Sequence, residues 1–279
     1  YEAMLQQHVE RGADVTVACV EVPVEEASGF GVMHVDGEDR VVSFLEKPKD
    51  PPSLPDKPGR ALASMGIYVF DTDRLIEELR RDASDRRLGR DFGGDIIPHL
   101  VENGMVVAHR FERSCVRGGL ETEPYWRDVG TLDAYWQANI DLTAPVPSLD
   151  LYAEDWPIWT YAEIRPPARF TPGRDGTGGE AINSLVSGGC VVEGASVQRS
   201  VLFSGTKVAP GARLDGAVVL PDVVGGRGAR LTRTVVDRGV HIPDGLGIGD
   251  APKSDAPRFR RSAPGVCLVT QTMIDRLQE

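Results

Sequence analysis

From residue 183 onward, aliphatic side chains recur six positions apart: Val191 and Val197, Val208 and Leu214, Val240 and Leu246. Small and turn-forming residues fill the gaps, as in EGAS (193–196), APGAR (209–213) and IPDG (242–245). A period of six matches neither the 3.6 of a helix nor the 2 of an ordinary strand. It is the hexapeptide signal of a parallel β-helix, in which each short strand forms one side of a triangular coil and its aliphatic side chain points inward. The glycines suit corners where φ is positive. Gly225 interrupts the pattern, standing where an inward aliphatic is expected before Leu231. A solenoid needs closed ends, and SAPGVCLVTQTMIDRLQE (262–279) can supply a strand and a terminal helix.

The first 145 residues follow another rule. Strand-like runs (15–22, 32–35, 41–45, 63–70, 105–111) alternate with helical patterns, which predicts a mostly parallel sheet covered by helices. Asp36-Gly37 is a turn between two of the strands. Asp71 is the expected cap of a helix reading DTDRLIEELRRD, residues 91–103 form a second helix stopped by Gly104, and Thr131 caps a third. Between 146 and 182 prolines accumulate, followed by glycines, which marks a linker or wrapping segment. The expected division is therefore an α/β domain over 1–145, a linker over 146–182 and the solenoid over 183–279.

Composition narrows the function. A formal net charge of −11 works against broad binding of nucleic acid or an anionic membrane, although a local basic pocket can still hold a small phosphate. No apolar run reaches the ~20 residues of a membrane span. The four widely spaced cysteines, Cys19, Cys115, Cys190 and Cys267, form no CxxC pair, so reduced thiols in a cytoplasmic setting are expected.

Two segments carry chemistry. Phe44-Leu45-Glu46-Lys47-Pro48 ends a strand with an acid, a base and a breaker. Strand alternation sends Glu46 and Lys47 to different sides, and Lys47 falls at a sheet rim; from the tripeptide alone a plain solvated strand end is the usual reading. Tyr125-Trp126-Arg127-Asp128-Val129-Gly130-Thr131 places a carboxylate at the expected C-terminal end of a strand, where it can meet Mg²⁺ and a phosphate, or else pair with Arg127 or cap the next helix.

Together with EEASGFGVM (25–33), LASMGIYVFD (62–71), DFGGDIIP (91–98), EPYWRDVGT (123–131) and NSLVSGGCVV (183–192), these segments resemble bacterial glucose-1-phosphate adenylyltransferases along nearly the whole chain. The resemblance implies the C-terminal portion of a Rossmann-like nucleotidyltransferase domain followed by a left-handed parallel β-helix. It implies a reaction in which glucose 1-phosphate attacks ATP to give ADP-glucose and pyrophosphate. Lys47 would hold the sugar phosphate, Glu46 the glucose hydroxyls, Gly31 would let backbone approach the sugar, Ser64 and Tyr68 would line the site, and Asp128 would ligate Mg²⁺. It also implies a homotetramer regulated by a phosphorylated effector, with Arg238 matching one effector position, while Gln271 and Asp275 stand where some relatives carry arginines. The family's glycine-rich nucleotide loop and a second metal-binding aspartate would precede Tyr1, so this stretch alone is expected to bind glucose 1-phosphate poorly and not to catalyse. GLGIGD (245–250) lacks the strand-to-helix setting of a phosphate loop and reads as solenoid corners. Three rivals stand beside this reading: another sugar-1-phosphate nucleotidyltransferase, a hexapeptide acyltransferase with His241 as its base, and a non-catalytic regulatory or assembly subunit.

Overall fold

A computed structural model describes residues 1–85, 87–115, 124–154, 157–158, 160 and 163–277. They fall into two compact units: residues 1–115 with 124–126, and residues from 127 onward.

The first unit is built on a five-stranded sheet. In chain order it contains α1 (Glu2–Arg11), β1 (Val15–Pro23), α2 (Val24–Ala27), β2 (Gly31–Val35), β3 (Val41–Glu46), β4 (Arg60–Phe70), α3 (Thr72–Ser84), a π-helical turn (Phe92–Ile96), α4 (Ile97–Asn103) and β5 (Val106–Arg110). The sheet order is β3-β2-β4-β1-β5. Only β1 and β5 run parallel; the other three pairings are antiparallel. The expectation of a mostly parallel sheet is corrected here. Parallel neighbours need a crossover between them, whereas β2 and β3 form a hairpin and β4 returns beside β1 directly. The hairpin turn spans Asp36 to Arg40, with the Asp36 carboxylate accepting from the Glu38 and Arg40 amides, and its left-handed residue is Asp39 rather than Gly37. β1 is buried almost throughout and forms the spine of the core with Met33, Leu62, Ile96, Ile97 and Leu100. Asp71 caps α3 as expected, accepting from the Asp73 and Arg74 amides at 3.1 Å each.

The second unit opens with α5 (Leu132–Asp141), capped by Thr131, whose hydroxyl accepts from the Ala134 amide. The solenoid follows: β6 (Arg169–Thr171), β7 (Glu180–Ile182), β8 (Leu185–Val186), β9 (Val191–Glu193), β10 (Ser196–Gln198), β11 (Val201–Leu202), β12 (Lys207–Val208), β13 (Arg213–Val219), β14 (Val224–Gly225), β15 (Arg230–Val236), β16 (His241–Ile242) and β17 (Gly247–Ile248). All these strands pair in parallel, so β6 and β7 place the solenoid's first strands inside the stretch 146–182 that composition marks as a linker. α6 (Pro252–Asp255), β18 (Arg260–Arg261), β19 (Cys267–Val269) and α7 (Gln271–Asp275) close its end, the last two meeting the expectation of a strand and terminal helix.

Arg213 lies beside Arg230, and Arg230 beside Gly247, so each of these coils takes 17 residues. Three full hexapeptides would take one more, so the inward positions are spaced by five as well as six: Val192, Val197, Leu202, Val208, Leu214, Val219, Gly225, Leu231, Val236, Ile242 and Ile248. Val191 is therefore only half-buried, with Val192 pointing inward in its place. Val240 and Leu246 occupy corners two residues ahead of Ile242 and Ile248. Gly225 does hold an inward position, in register with Val208 and Ile242. α5 is fastened to the coils by Trp136, whose indole N–H donates to the Gly216 carbonyl at 2.7 Å and whose ring lies 4.4 Å beneath the Arg233 guanidinium.

Candidate functional site

The last residues of β3 and the middle of β4 build the site. Lys47 follows β3 with φ 45°, a left-handed conformation that costs a non-glycine residue roughly 1–2 kcal/mol. Its amide donates to the Phe30 carbonyl at 3.0 Å, which holds the turn. The consequence corrects the alternation argument. Strand geometry ends at Glu46, the turn swings Lys47 back, and its Nζ lies 3.2 Å from Glu46 Oε1. Glu46, then the Asp91 charge, raise the Lys47 amine above its ordinary value against the opposing cost of desolvation. The lysine remains well exposed while Glu46 is largely covered.

Ser64 and Tyr68 are four residues apart, a span of about 13 Å in a regular strand. They sit closer because β4 bulges. Val17 pairs with Tyr68 and Cys19 with Ser64, so Met65, Gly66 and Ile67 together oppose the single residue Ala18, with Gly66 at φ 70°. Bulges of this kind re-aim side chains beside active sites. The Ser64 hydroxyl accepts from the Gly66 amide at 3.3 Å and lies near the Tyr68 phenol. Burial, and then the Glu46 and Asp91 charges, push the phenol up, while the neighbouring Ser64 hydroxyl opposes them.

The π-helical turn completes the cluster, as such turns frequently do at functional sites. Asp91 caps it, accepting from the Gly93 and Gly94 amides at 2.7 and 3.2 Å. Phe92 stacks on Tyr68 with ring centroids 5.9 Å apart. Asp91, Phe92 and Gly93 are neighbours of these side chains that sequence reasoning places in a helix and in a family-resembling segment without giving them a site role. The signal was present in Asp-Phe-Gly-Gly-Asp, since two consecutive glycines are poor choices for an ordinary helix start. Trp126 packs edge-on against Phe30, ring centroids 5.4 Å apart, at the same hairpin end.

Gly31 has a local reason for being glycine. A Cβ there would lie 2.3 Å from the Phe44 ring and 3.1 Å from Glu46 Oε2, so the space is filled by the protein's own side chains.

The remaining sequence candidates lie in the second unit. Asp128 is exposed on an irregular segment, not at a strand end as expected. Among the described residues no group of three or more His, Cys, Asp or Glu is placed to hold a metal ion. Arg238 is exposed at the corner between β15 and β16, its amide donating to its neighbour Asp237. Gln271 accepts from the His241 amide and donates to Asp275, so Gln271 and Asp275 bond to each other. His241 Nδ1 lies 3.0 Å from the Gly239 carbonyl. Gly245 and Gly249 have positive φ at corners flanking β17, in line with the reading of GLGIGD. No helix among the described residues is long and apolar enough to cross a membrane.

A family model described as "Nucleotidyl transferase" matches residues 1–144, and one described as "GlmU-like, C-terminal hexapeptide" matches residues 166–269. Over 277 residues, 99% of the chain, the sequence is 60% identical to proteins named glucose-1-phosphate adenylyltransferase from Rhizobium etli (strain CIAT 652), Sinorhizobium fredii (strain NBRC 101917 / NGR234) and Rhizobium meliloti (strain 1021). The chain spans 66% of the length of these curated relatives.

Proposed function

This chain belongs to the nucleotidyl transferase family, and on that premise we propose that it provides the sugar-phosphate side of a glucose-1-phosphate adenylyltransferase. The observation that carries the reading is the convergence of Glu46, Lys47, Ser64 and Tyr68 at one end of the β2–β3 hairpin and the β4 bulge. The reaction is displacement at phosphorus. A phosphate oxygen of glucose 1-phosphate bonds to the α-phosphorus of ATP, the α–β anhydride bond breaks, and pyrophosphate leaves with that electron pair.

Catalysis of this kind rests on positioning and charge neutralisation. Lys47 is a compact cation at an exposed rim, suited to a phosphate as a point charge. Glu46 offers carboxylate oxygens to sugar hydroxyls. Ser64 and Tyr68 present hydroxyls on either side of the β4 bulge, and the Tyr68–Phe92 stack gives the sugar an apolar wall. Asp128 supplies one hard oxygen. That fits Mg²⁺, which binds through one or two carboxylates together with phosphates and water. Bound there, the ion would neutralise phosphate charge. A homotetramer, a phosphorylated effector held in part by Arg238 and a cytoplasmic location complete the proposal.

The test is pyrophosphate release by the full-length protein. Lys47→Ala should raise the KM for glucose 1-phosphate by roughly 10²-fold, since a charged hydrogen bond is worth about 1.5–3 kcal/mol. Asp128→Ala should lower kcat with a smaller effect on that KM. Wild-type kinetics in both variants would refute the assignment.

A further inference from the structure

Gly31 pairs with Glu46 across the hairpin, and Gly93 approaches the same carboxylate from the π-helical turn. A Cβ on Gly93 would lie 2.4 Å from Glu46 Oε2 and 2.9 Å from its Cδ; one on Gly31 would lie 2.3 Å from the Phe44 ring and 3.1 Å from Oε2, so Gly31 makes room for Phe44 first and the carboxylate second. Neither glycine has a positive φ, so backbone freedom does not explain them. What both provide is room. Oε2 rests between the two bare Cα atoms while Oε1 faces Lys47 at 3.2 Å. We infer that Gly93 and Gly31 form a slot that fixes the orientation of the Glu46 carboxylate, which makes Gly93 a positioning residue for recognition of the sugar.

The π-helical turn is the means of delivery. Its wider turn, held by the Asp91 cap, brings the Gly93 backbone against the carboxylate. The neighbouring glycine has no such role: a Cβ on Gly94 would meet only Asp91, at an ordinary 3.7 Å. Two adjacent glycines on one turn therefore separate the slot from any general need for small residues there. The inference rests on the sugar-site reading and adds a residue to it.

The experiment measures the KM for glucose 1-phosphate in the full-length protein at saturating ATP and Mg²⁺. Gly93→Ala forces the carboxylate to move by about 1 Å, and a displacement of that size should raise KM about 10- to 100-fold. Gly94→Ala should stay within about twofold of wild type. In a Glu46→Asp background the shorter side chain does not reach the slot. Adding Gly93→Ala there should change KM by less than about twofold, a strong non-additivity. That pair also serves if Gly93→Ala alone proves too unstable to assay, because the shortened carboxylate vacates the space. Equal KM values for Gly93→Ala and Gly94→Ala, or effects of Gly93→Ala that simply multiply with those of Glu46→Asp, would overturn the slot. Glu46→Ala separates the two levels. An unchanged KM there removes the sugar-site reading and the slot with it, whereas a raised KM beside an indifferent Gly93→Ala removes the slot alone.

Discussion

Gly225 and Gly226 adjoin on one wall of the solenoid, yet alanine should act on them with opposite sign. Gly225 occupies an inward position between Val208 and Ile242, and an added Cβ would meet only the Lys207 carbonyl at 3.6 Å and the Val208 Cα at 3.9 Å, both ordinary contacts. Its φ is not positive. Gly225→Ala therefore removes unfolded-state entropy, worth about 0.4–1 kcal/mol, and buries one methyl group, worth about 0.8 kcal/mol. The expected gain is about 1–2 kcal/mol. At Gly226 the Cβ would fall 2.6 Å from the Ile242 carbonyl and 2.7 Å from the Asp244 amide, where no flexible group can yield. It would also disturb the coil-to-coil bond from the Gly226 amide to Ile242 and the Asp244 carboxylate that accepts from the Arg227 amide. Overpacking of this kind costs about 1–3 kcal/mol, so the two variants should differ by roughly 2–5 kcal/mol. Urea unfolding followed by circular dichroism gives the net effect. Native-state amide exchange along β12, β14 and β16 localises it, since exchange reports stability by region. Destabilisation by Gly225→Ala of more than about 1 kcal/mol, or equal effects of the two variants, would refute the assigned inward register.

Two further outcomes follow from local geometry. Asp71→Ala removes the carboxylate that accepts from two amides at the start of α3 and should cost about 1 kcal/mol in urea unfolding, with Asp71→Ser recovering most of it. His109 is buried, bonded through its two ring nitrogens to Gln7 and Ser114, and burial followed by the Arg113 cation holds its pKa below the ordinary 6.5. For a base with a lowered folded-state pKa, the contribution is complete above the unfolded value. It declines as the pH falls from 6.5 toward the lowered one, because the unfolded chain takes up the proton first. Stability should therefore drop between pH 7 and pH 5, and the slope should be shallower in His109→Gln; identical slopes would show that other groups control it.

Much of the fold was legible because its signals are local. Sixfold aliphatic recurrence identifies a solenoid, and Asp71, Thr131 and Gly104 mark helix ends that the structure bears out. The register of the coils was not legible to the residue. A coil of 17 mixes spacings of five and six, so Val191 reads as inward when Val192 is. Sheet direction was misjudged for a related reason. Alternating strands and helices suggest parallel pairing, but which strands become neighbours depends on long-range contacts such as β4 lying between β1 and β2. At the site, residue identities carried the reading and backbone detail did not. No pattern announced that Lys47 would turn left-handed beside Glu46, that a bulge at Gly66 would join Ser64 to Tyr68, or that Gly93 would approach from a separate turn. Those features arise where the chain departs from regular geometry, which periodicity does not encode.

The most direct test of the sugar-phosphate site is a crystal structure of the full-length protein with glucose 1-phosphate bound. The account predicts the phosphate within hydrogen-bond distance of Lys47 Nζ, with sugar hydroxyls on the Glu46 carboxylate and the ring beside Tyr68. A sugar phosphate bound elsewhere, with Lys47 and Glu46 still paired only to each other, would contradict it.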